Sequence, residues 1–372
     1  LKSGFSRVGI VGAGQLGRML ALAAYPLGLS PLLLDKSADA PAAALAPMLV
    51  GDLEDPALLA ELAARSDVLT FDWENISGTA LAPLEPLIAI RPSAAALAVS
   101  QDRLLEKALF ARLKMPVAPH ARVDEPADLE RAIRRLGAPG ILKTRRLGYD
   151  GKGQYVVRTA TDAESAWGQL GSSRVGAAGL IYERFQSFSR EVSIIGARSV
   201  DGRMVAYPLS ANTHVGGILR YATAPYVNRK LERLARIYLR RVLDELDYVG
   251  VLAIEFFVVN GRLIANEMAP RVHNSGHWTI EGCITSQFEN HLRAICGLPL
   301  GSTRPLGATA MINFIGNLPD RARLLELEGL SFHDYGKAAR PGRKLGHCTI
   351  LKSAAGDRNE ALANALKLIE WT

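Results

Sequence analysis

Over the first hundred residues, apolar positions fall in short β-like runs separated by stretches of helical period, the rhythm of a parallel α/β unit. Arg7 to Val11, Pro31 to Asp35 and Val68 to Phe71 read as strands, with Leu16 to Ala24 and Pro56 to Ala64 as helices between them. Each strand runs into a polar loop: Gln15, Asp35, and the stretch Asp72-Trp73-Glu74-Asn75. In open α/β sheets the carboxyl ends of the strands share one ligand site, so these three loops are expected to meet. A helix from Gln101 to about Lys114, stopped by Pro116, opens a smaller segment. Its second helix, Asp128 to Leu136, ends at Gly137, and two strands, Ile141 to Thr144 and Gln154 to Arg158, flank a glycine-rich turn. Pairing there is mostly local, so the segment is expected to move as a lid.

From about Leu180 the pattern becomes antiparallel: Leu180 to Arg184, Arg190 to Arg198, a turn at Asp201-Gly202, then Arg203 to Pro208. A long amphipathic helix follows, with Leu231, Leu234, Ala235, Tyr238, Val242 and Leu246 on one face. Then comes a hairpin, Val251 to Val259 and Leu263 to Glu267, turned at Asn260-Gly261. The fold class is therefore α/β giving way to α+β, with units at 1–100, 101–188 and 189–372.

Composition narrows the functional classes. With 372 residues and 48% hydrophobic content the chain can bury a large core, and no apolar run is long enough to span a bilayer. Residues 1–7 carry no apolar signal-peptide core, so a cytoplasmic location is expected. Cys283, Cys296 and Cys348 are odd in number and include no CxxC pair, which points to neither a disulfide framework nor structural zinc. The net charge of +7 comes from basic residues interleaved with acids, as in Asp128 to Arg135, so no nucleic-acid partner is expected. Anionic small molecules account for the excess equally well.

Five clusters carry candidate chemistry. Gly148-Tyr149-Asp150-Gly151-Lys152-Gly153-Gln154 can aim successive backbone N–H groups at an anion, with Lys143 and Lys152 adding charge; a surface turn is the competing reading. Gly12-Ala13-Gly14-Gln15-Leu16-Gly17 follows a strand and opens a helix, with Asp35 about twenty residues on. That geometry suits a dinucleotide, a monophosphate or a purely structural turn. Glu255 and Glu267 sit on the two hairpin strands, where inward-facing acids need neutralising, for instance by a divalent cation, unless they face solvent. A strict two-residue turn, however, places them on opposite faces, so a shared metal requires a longer turn or a bulge. Arg271-Val272-His273-Asn274-Ser275-Gly276-His277 follows as a donor-rich loop, and Arg271 suits an oxyanion or a salt bridge. Lys337, Arg343 and Lys344 gather near Pro341-Gly342 as a basic turn or a phosphate clamp.

The segments GAGQLGRM (from Gly12), DAPA (from Asp39), TFDWEN (from Thr70), QDR (from Gln101), GYDGKGQ (from Gly148), NTHVGGIL (from Asn212), NEMAPRVHNSGH (from Asn266) and RPGRKLGH (from Arg340) together resemble the ATP-grasp superfamily. Within it the resemblance is closest to the 5-(carboxyamino)imidazole ribonucleotide synthases of bacterial purine biosynthesis, over nearly the whole chain. It implies an ATP-grasp fold: a Rossmann-like pre-ATP-grasp domain with a parallel sheet, a central lid and an antiparallel C-terminal domain. ATP would lie against Arg103, Lys143, Gly148 to Gln154, Glu183, Arg184, Phe185, Gln186, Glu191, His214, Asn266 and Glu267. Two Mg²⁺ ions would be held by Glu255 and Glu267. Gly14, Gln15, Leu16, Glu74, Lys337, Arg343 and Lys344 would bind aminoimidazole ribonucleotide, and Asp150, Arg271, His273 and Asn274 would face the reacting groups. Bicarbonate is the implied co-substrate, carboxyphosphate the implied intermediate, and a homodimer the implied assembly. Asp72 stands where other members have Glu and receives no role. Competing readings are another ATP-grasp ligase, such as a formate-dependent glycinamide ribonucleotide transformylase or a biotin-carboxylase-like enzyme, an NAD-dependent oxidoreductase, and a non-catalytic ATP-binding protein.

Overall fold

The computed structural model describes residues 5–148, 152–171 and 179–370, arranged on three sheets. The first is parallel, in the order β3-β2-β1-β4-β5: β1 (Arg7–Val11), β2 (Ser30–Asp35), β3 (Met48–Val50), β4 (Val68–Phe71) and β5 (Ala89–Ile90). Every residue of β4 is buried, which is why its sequence reads as a continuous apolar run with no alternation. The helices Gln15–Ala24 and Pro56–Ala64 lie where the periodicity puts them. The second begins because Asp55 accepts hydrogen bonds from the Ala57 and Leu58 amides just before Pro56. Strand order reverses beside β1, so the loops after β1 and β4 open one crevice.

The second sheet is small and antiparallel, ordered β6-β9-β7-β8: β6 (His120–Val123), β7 (Gly140–Thr144), β8 (Gln154–Val157) and β9 (Leu180–Arg184). The helix Pro126–Leu136 buries Leu129, Ala132 and Ile133 against it and stops at Gly137, whose φ of 81° suits glycine. The helix expected over Gln101–Lys114 is present as Arg103–Arg112, preceded by a separate helix that the sequence did not announce. Ala94–Ser100 ends, and Asp102, in extended conformation, accepts from the Leu104 amide to start Arg103–Arg112.

The third sheet has nine strands in the order β15-β14-β10-β12-β13-β16-β18-β17, with β11 paired to β10. They are β10 (Arg190–Arg198), β11 (Met204–Ala206), β12 (Ser210–Val215), β13 (Ile218–Ala224), β14 (Gly250–Val259), β15 (Arg262–Ala269), β16 (Ala308–Ile315), β17 (Leu330–Asp334) and β18 (Lys344–Lys352). Strands β12, β13 and β16–β18 lie where the sequence announces none. β16 is buried at all eight residues, so it lacks the alternation that marks a half-exposed strand.

Packing couples these sheets unequally. Ile10, Met19 and Leu20 from the first unit share one core with Trp278, Phe288, Leu292 and Ile295 from the third. The core of the second sheet, including Val123, Leu129, Ile133, Leu142, Val157 and Tyr182, draws only on its own segment. A buried hydrogen bond between Thr70 Oγ1 and His291 Nε2 (2.7 Å) pins β4 to the helix Gln287–Ile295 as well. The first and third units thus form one block, to which Leu109, Phe110 and Met115 also pack, while the second sheet keeps a core of its own.

Candidate active site

The hairpin resolves the register conflict posed by its sequence. Val259 pairs with Arg262, so the turn is the two-residue Asn260-Gly261, and both residues have positive φ (49° and 70°) as a type I′ turn requires. Phe256 then pairs with Ala265 but Glu255 with Glu267, so Asn266 is an extra residue on β15. The bulge re-aims Glu267 onto the face of Glu255. Burial pushes the Glu255 carboxyl up to about 7, eased by His214 and reinforced by Glu267; Glu267 is held low despite its burial by Arg103 and Lys143. Arg103 Nη1 lies 3.1 Å from Glu267 Oε2. Among the described residues no group of three or more His, Cys, Asp or Glu side chains makes a metal cage by itself. Two carboxylates on one face, beside a bulge residue whose buried Asn266 Oδ1 has no hydrogen-bond partner, fit a hard cation that takes its remaining ligands from phosphate or water.

Next to this pair lies a buried charge network. Glu183 receives Lys143 Nζ at 3.0 Å and Lys107 Nζ at 3.4 Å, and these cations with Arg103 hold its carboxyl below the usual range although burial alone would raise it. Glu106 accepts the Met268 amide at 2.5 Å, and burial, with the Glu267 charge nearby, pushes it up to about 8. Sequence reasoning missed Glu106 and Lys107. Their signal was positional: with Arg103 and Phe110 they stand at i, i+3, i+4 and i+7, a helical stripe that is buried yet charged.

The first glycine loop is braced from below by two acids. Asp35 accepts the Ala13 amide at 2.7 Å and the Ser37 amide at 3.0 Å, so its carboxylate is already engaged by loop backbone where it lines the cleft. Asp72 packs beneath the turn: a Cβ on Gly14 would stand 2.7 Å from Asp72 Oδ2, and one on Gly12, where φ is 96°, 2.9 Å from Asp72 Cβ. This is the role that the sequence left unassigned, and the tight packing favours the shorter acid. Above the loop, the helix Gln15–Ala24 starts from Gly14 with no side-chain cap and no acid in its first turn, so its amides face the cleft as an anion site. Lys337 Nζ donates to Gln15 Oε1, and burial among Arg343, Lys344 and Arg340 lowers its ammonium to about 8, with Asp72 opposing.

Arg271 joins the two ends. Its Nε lies 2.5 Å from Glu74 Oε2, and the Glu74 carbonyl in turn receives Gln101 Nε2 at 2.8 Å. Gln101 also accepts Arg146 Nη2 (2.6 Å), and Asp102 binds Arg145 through both oxygens (3.1 and 2.5 Å), so the strand leading into the second glycine turn is tied to the loop after β4. The His273 backbone is clamped by Gln287, which accepts from its amide at 2.9 Å and donates to its carbonyl at 2.7 Å. Asn274 and Asn313 exchange amide hydrogen bonds of 3.0 and 2.7 Å.

One cleft of about 840 Å³ takes in Gly14, Gln15, Leu16, Glu74, Arg103, Gly148, Lys152, Glu255, Glu267, Arg271, His273, Asn274, Lys337, Arg343 and Lys344. The polar loops after β1, β2 and β4 do meet there. Lys143, Glu183, Glu191, His214 and Asn266 are not part of its lining; Lys143 pairs with Glu183, and His214 is in contact with Glu191. Gly153 and Gln154 close the turn where β8 begins; a Cβ on Gly153 would come within 2.6 Å of Thr144 Oγ1. Arg184 and Phe185 are exposed at the end of β9, and Gln186 donates to the Arg184 carbonyl. Tyr149, Asp150 and Gly151 lie outside the described residues.

Three family models divide the chain: a ribonucleotide synthetase preATP-grasp domain over residues 5–101, an ATP-grasp domain over 108–288, and a phosphoribosylaminoimidazole carboxylase C-terminal domain over 309–361. The N5-carboxyaminoimidazole ribonucleotide synthase of Pseudomonas aeruginosa is 46% identical over 98% of this chain and 99% of its own. The chain belongs to the N5-carboxyaminoimidazole ribonucleotide synthase family. A crystal structure of the family member from Thermus thermophilus superposes with a TM-score of 0.92 at 48% identity, covering 98% of this chain and 99% of that one. The Aspergillus clavatus synthase, solved in complex with ADP and 5-aminoimidazole ribonucleotide, superposes at 0.91 with 28% identity, over 98% and 99%. The synthase fold is thus the one expected: a parallel-sheet pre-ATP-grasp unit followed by ATP-grasp antiparallel sheets. No helix among the described residues is long and apolar enough to cross a membrane.

Proposed function

We propose that the chain is an ATP-grasp ligase that converts aminoimidazole ribonucleotide, ATP and bicarbonate into N5-carboxyaminoimidazole ribonucleotide, ADP and phosphate in purine biosynthesis. The observation that carries this reading is the single cleft, with a same-face carboxylate pair at one end and a lysine-clamped glycine loop at the other, joined by Arg271–Glu74. Bicarbonate oxygen attacks the γ-phosphorus as the bond to the ADP oxygen breaks. The carboxyphosphate formed releases CO₂ and phosphate, and the exocyclic nitrogen of the aminoimidazole attacks the carbon, forming the N–C bond and losing a proton. Such chemistry asks a protein for positioning and charge neutralisation more than covalent help.

The division of labour follows from the charges. Arg103, Lys143 and Lys152, with the turn Gly148 to Gln154 and the end of β9 at Glu183 to Gln186, hold the nucleotide; Glu191 and His214 complete its sugar side. Glu255 and Glu267 would hold Mg²⁺, which when bound neutralises phosphate charge. Gly14, Gln15 and Leu16, with Lys337, Arg343 and Lys344, take the 5′-phosphate of the ribonucleotide. Glu74 contacts the same substrate, and its departure from Arg271 lets that guanidinium face the oxyanions. His273, Asn274 and Asp150 face the reacting groups. Domain limits at 100/101 and 188/189, a homodimeric assembly and a cytoplasmic location belong to the same proposal; light scattering tests the assembly.

Asp35 bonded to its own loop is the observation that disfavours the dinucleotide alternative. The deciding experiment is ADP release with ribonucleotide and bicarbonate omitted in turn. Rapid turnover is expected only with both. Full ATP hydrolysis without the ribonucleotide, or a requirement for formate or biotin, would sink the assignment.

A further inference from the structure

The loop after β15 and strands β10 and β12 bring together a buried set of hydroxyl and amide groups that the reaction scheme above does not use. Ser193, Ser210, Ser275 and Asn212 are buried, with relative exposures of 5% or less. Ser275 presents two donors to one ring nitrogen: its amide lies 3.3 Å and its Oγ 2.8 Å from His273 Nδ1. A backbone N–H can only donate, so Nδ1 carries a lone pair and the ring proton sits on Nε2.

That assignment sets the direction of the next bonds. The Ser275 hydroxyl proton goes to His273, so Ser275 Oγ accepts from Ser193 across 2.7 Å. Ser193 Oγ in turn accepts from Asn212 Nδ2 at 3.2 Å and faces the Ser210 hydroxyl at 2.8 Å. Asn212 Nδ2 also points to Glu255 Oε1 at 3.5 Å. Every donor therefore runs one way, from the Asn212 amide through two serines to the imidazole. The 4.0 Å approach of His273 Nδ1 to Glu255 is then no ion pair, because Nδ1 has no proton to offer.

We infer that Ser275, Ser193 and Asn212 are positioning residues that lock His273 in its Nε2–H tautomer, so that it gives the reacting groups a hydrogen-bond donor and not a base. This rests on the proposed reaction for the part His273 plays, but not for the tautomer itself. The donor suits an oxygen that gains negative charge as the phosphoryl group leaves and the carboxyl group moves, and it costs no rearrangement at that moment. The Gln287 clamp on the His273 backbone fixes the other end of the residue.

The test uses the full chain labelled with ¹⁵N-histidine. Long-range ¹H–¹⁵N correlations, with His273 assigned by the loss of its signals in His273→Gln, should show a protonated Nε2 and an unprotonated Nδ1 without any substrate. Ser275→Ala keeps the amide donor but removes the hydroxyl, so it should move the His273 Nδ1 resonance and lower kcat for ribonucleotide-dependent ADP release on the order of ten- to a hundredfold. Both KM values should stay as in the parent enzyme, and Ser275→Cys should recover part of the loss. A proton on Nδ1 in the parent enzyme would overturn the inference, as would Ser275→Ala with an unmoved Nδ1 resonance and unchanged kcat. The tautomer is read without substrates, so absence of ribonucleotide-dependent turnover in the parent enzyme would count against the proposed reaction alone.

Discussion

The two glycine-rich loops differ in what lies under them. Gly12 to Gly17 belongs to a sheet whose core is continuous with the large antiparallel sheet, and two carboxylates brace it from below. Gly148 to Gly153 belongs to a four-stranded sheet with a core of its own, tied to the rest through Gln101, Asp102 and the arginines Arg145 and Arg146. A rigid loop can present amides and lysines to a phosphate that must be held in fixed register; a loop on a separately packed sheet can close over a ligand and exclude water. On the proposed reading the loop with the dinucleotide fingerprint takes a monophosphate, and the less conspicuous turn acts as a lid.

Four experiments would break or sharpen that contrast. The largest effect is expected from Glu267→Gln, which removes one of the two same-face carboxylates: ADP release should fall about 10³-fold, several kcal/mol of barrier. Activity near that of the parent enzyme would mean that the bulge at Asn266 serves structure only. Next is Lys337→Ala. Loss of a charge-assisted contact of about 1.5–3 kcal/mol should raise KM for the ribonucleotide roughly ten- to a hundredfold and leave KM for ATP alone. Burial places the Lys337 ammonium at about 8, so in the parent enzyme ribonucleotide affinity should weaken as pH rises through that value and the charge is lost, and Lys337→Arg should flatten the limb. Were KM for ATP the one to move, the two loops would have been assigned the wrong way round.

A smaller, opposite change is expected at the lid. Lys152 is exposed, so Lys152→Ala should raise KM for ATP by only about fivefold, roughly 1 kcal/mol, with the ribonucleotide KM unchanged. The smallest effect on activity is expected for the contact that pins β4 to the helix Gln287–Ile295. His291 accepts the Val251 amide through Nδ1 (3.1 Å) and so donates to Thr70 through Nε2, and burial lowers its pKa to about 4. Protons bind the unfolded histidine first, so its contribution is complete above about pH 6.5 and is lost as pH falls toward 4, of order 3 kcal/mol in all. Urea titrations at pH 7 and pH 4.5 should show the parent protein losing more stability than His291→Gln; equal losses would remove His291 as the acid-sensitive joint.

Much of the architecture was legible because local rules wrote it. Asp55-Pro56, Gly137 and Asn260-Gly261 set a helix start, a helix stop and a turn where the structure has them. The two-residue turn alone, however, implied opposite faces for Glu255 and Glu267, and the bulge that reverses this arises where β15 meets both β14 and the helix Arg103–Arg112, whose Glu106 takes the Met268 amide. Lys107 and Glu106 escaped notice because buried charge is stable only with partners from distant segments, and those partners cannot be read from a helix by itself.

The sequence by itself determined many of the elements, the motif order and the family, because turn chemistry, periodicity and glycine placement act over a few residues. Tertiary structure alone decided which acids face the cleft, that Asp35 and Asp72 brace the first loop, and which way the proton lies on His273. Those outcomes depend on burial and on hydrogen-bond partners from remote parts of the chain, such as Ser193 with Ser275 and Lys337 with Gln15. A carboxylate, lysine or imidazole has no fixed charge or direction until such neighbours close around it.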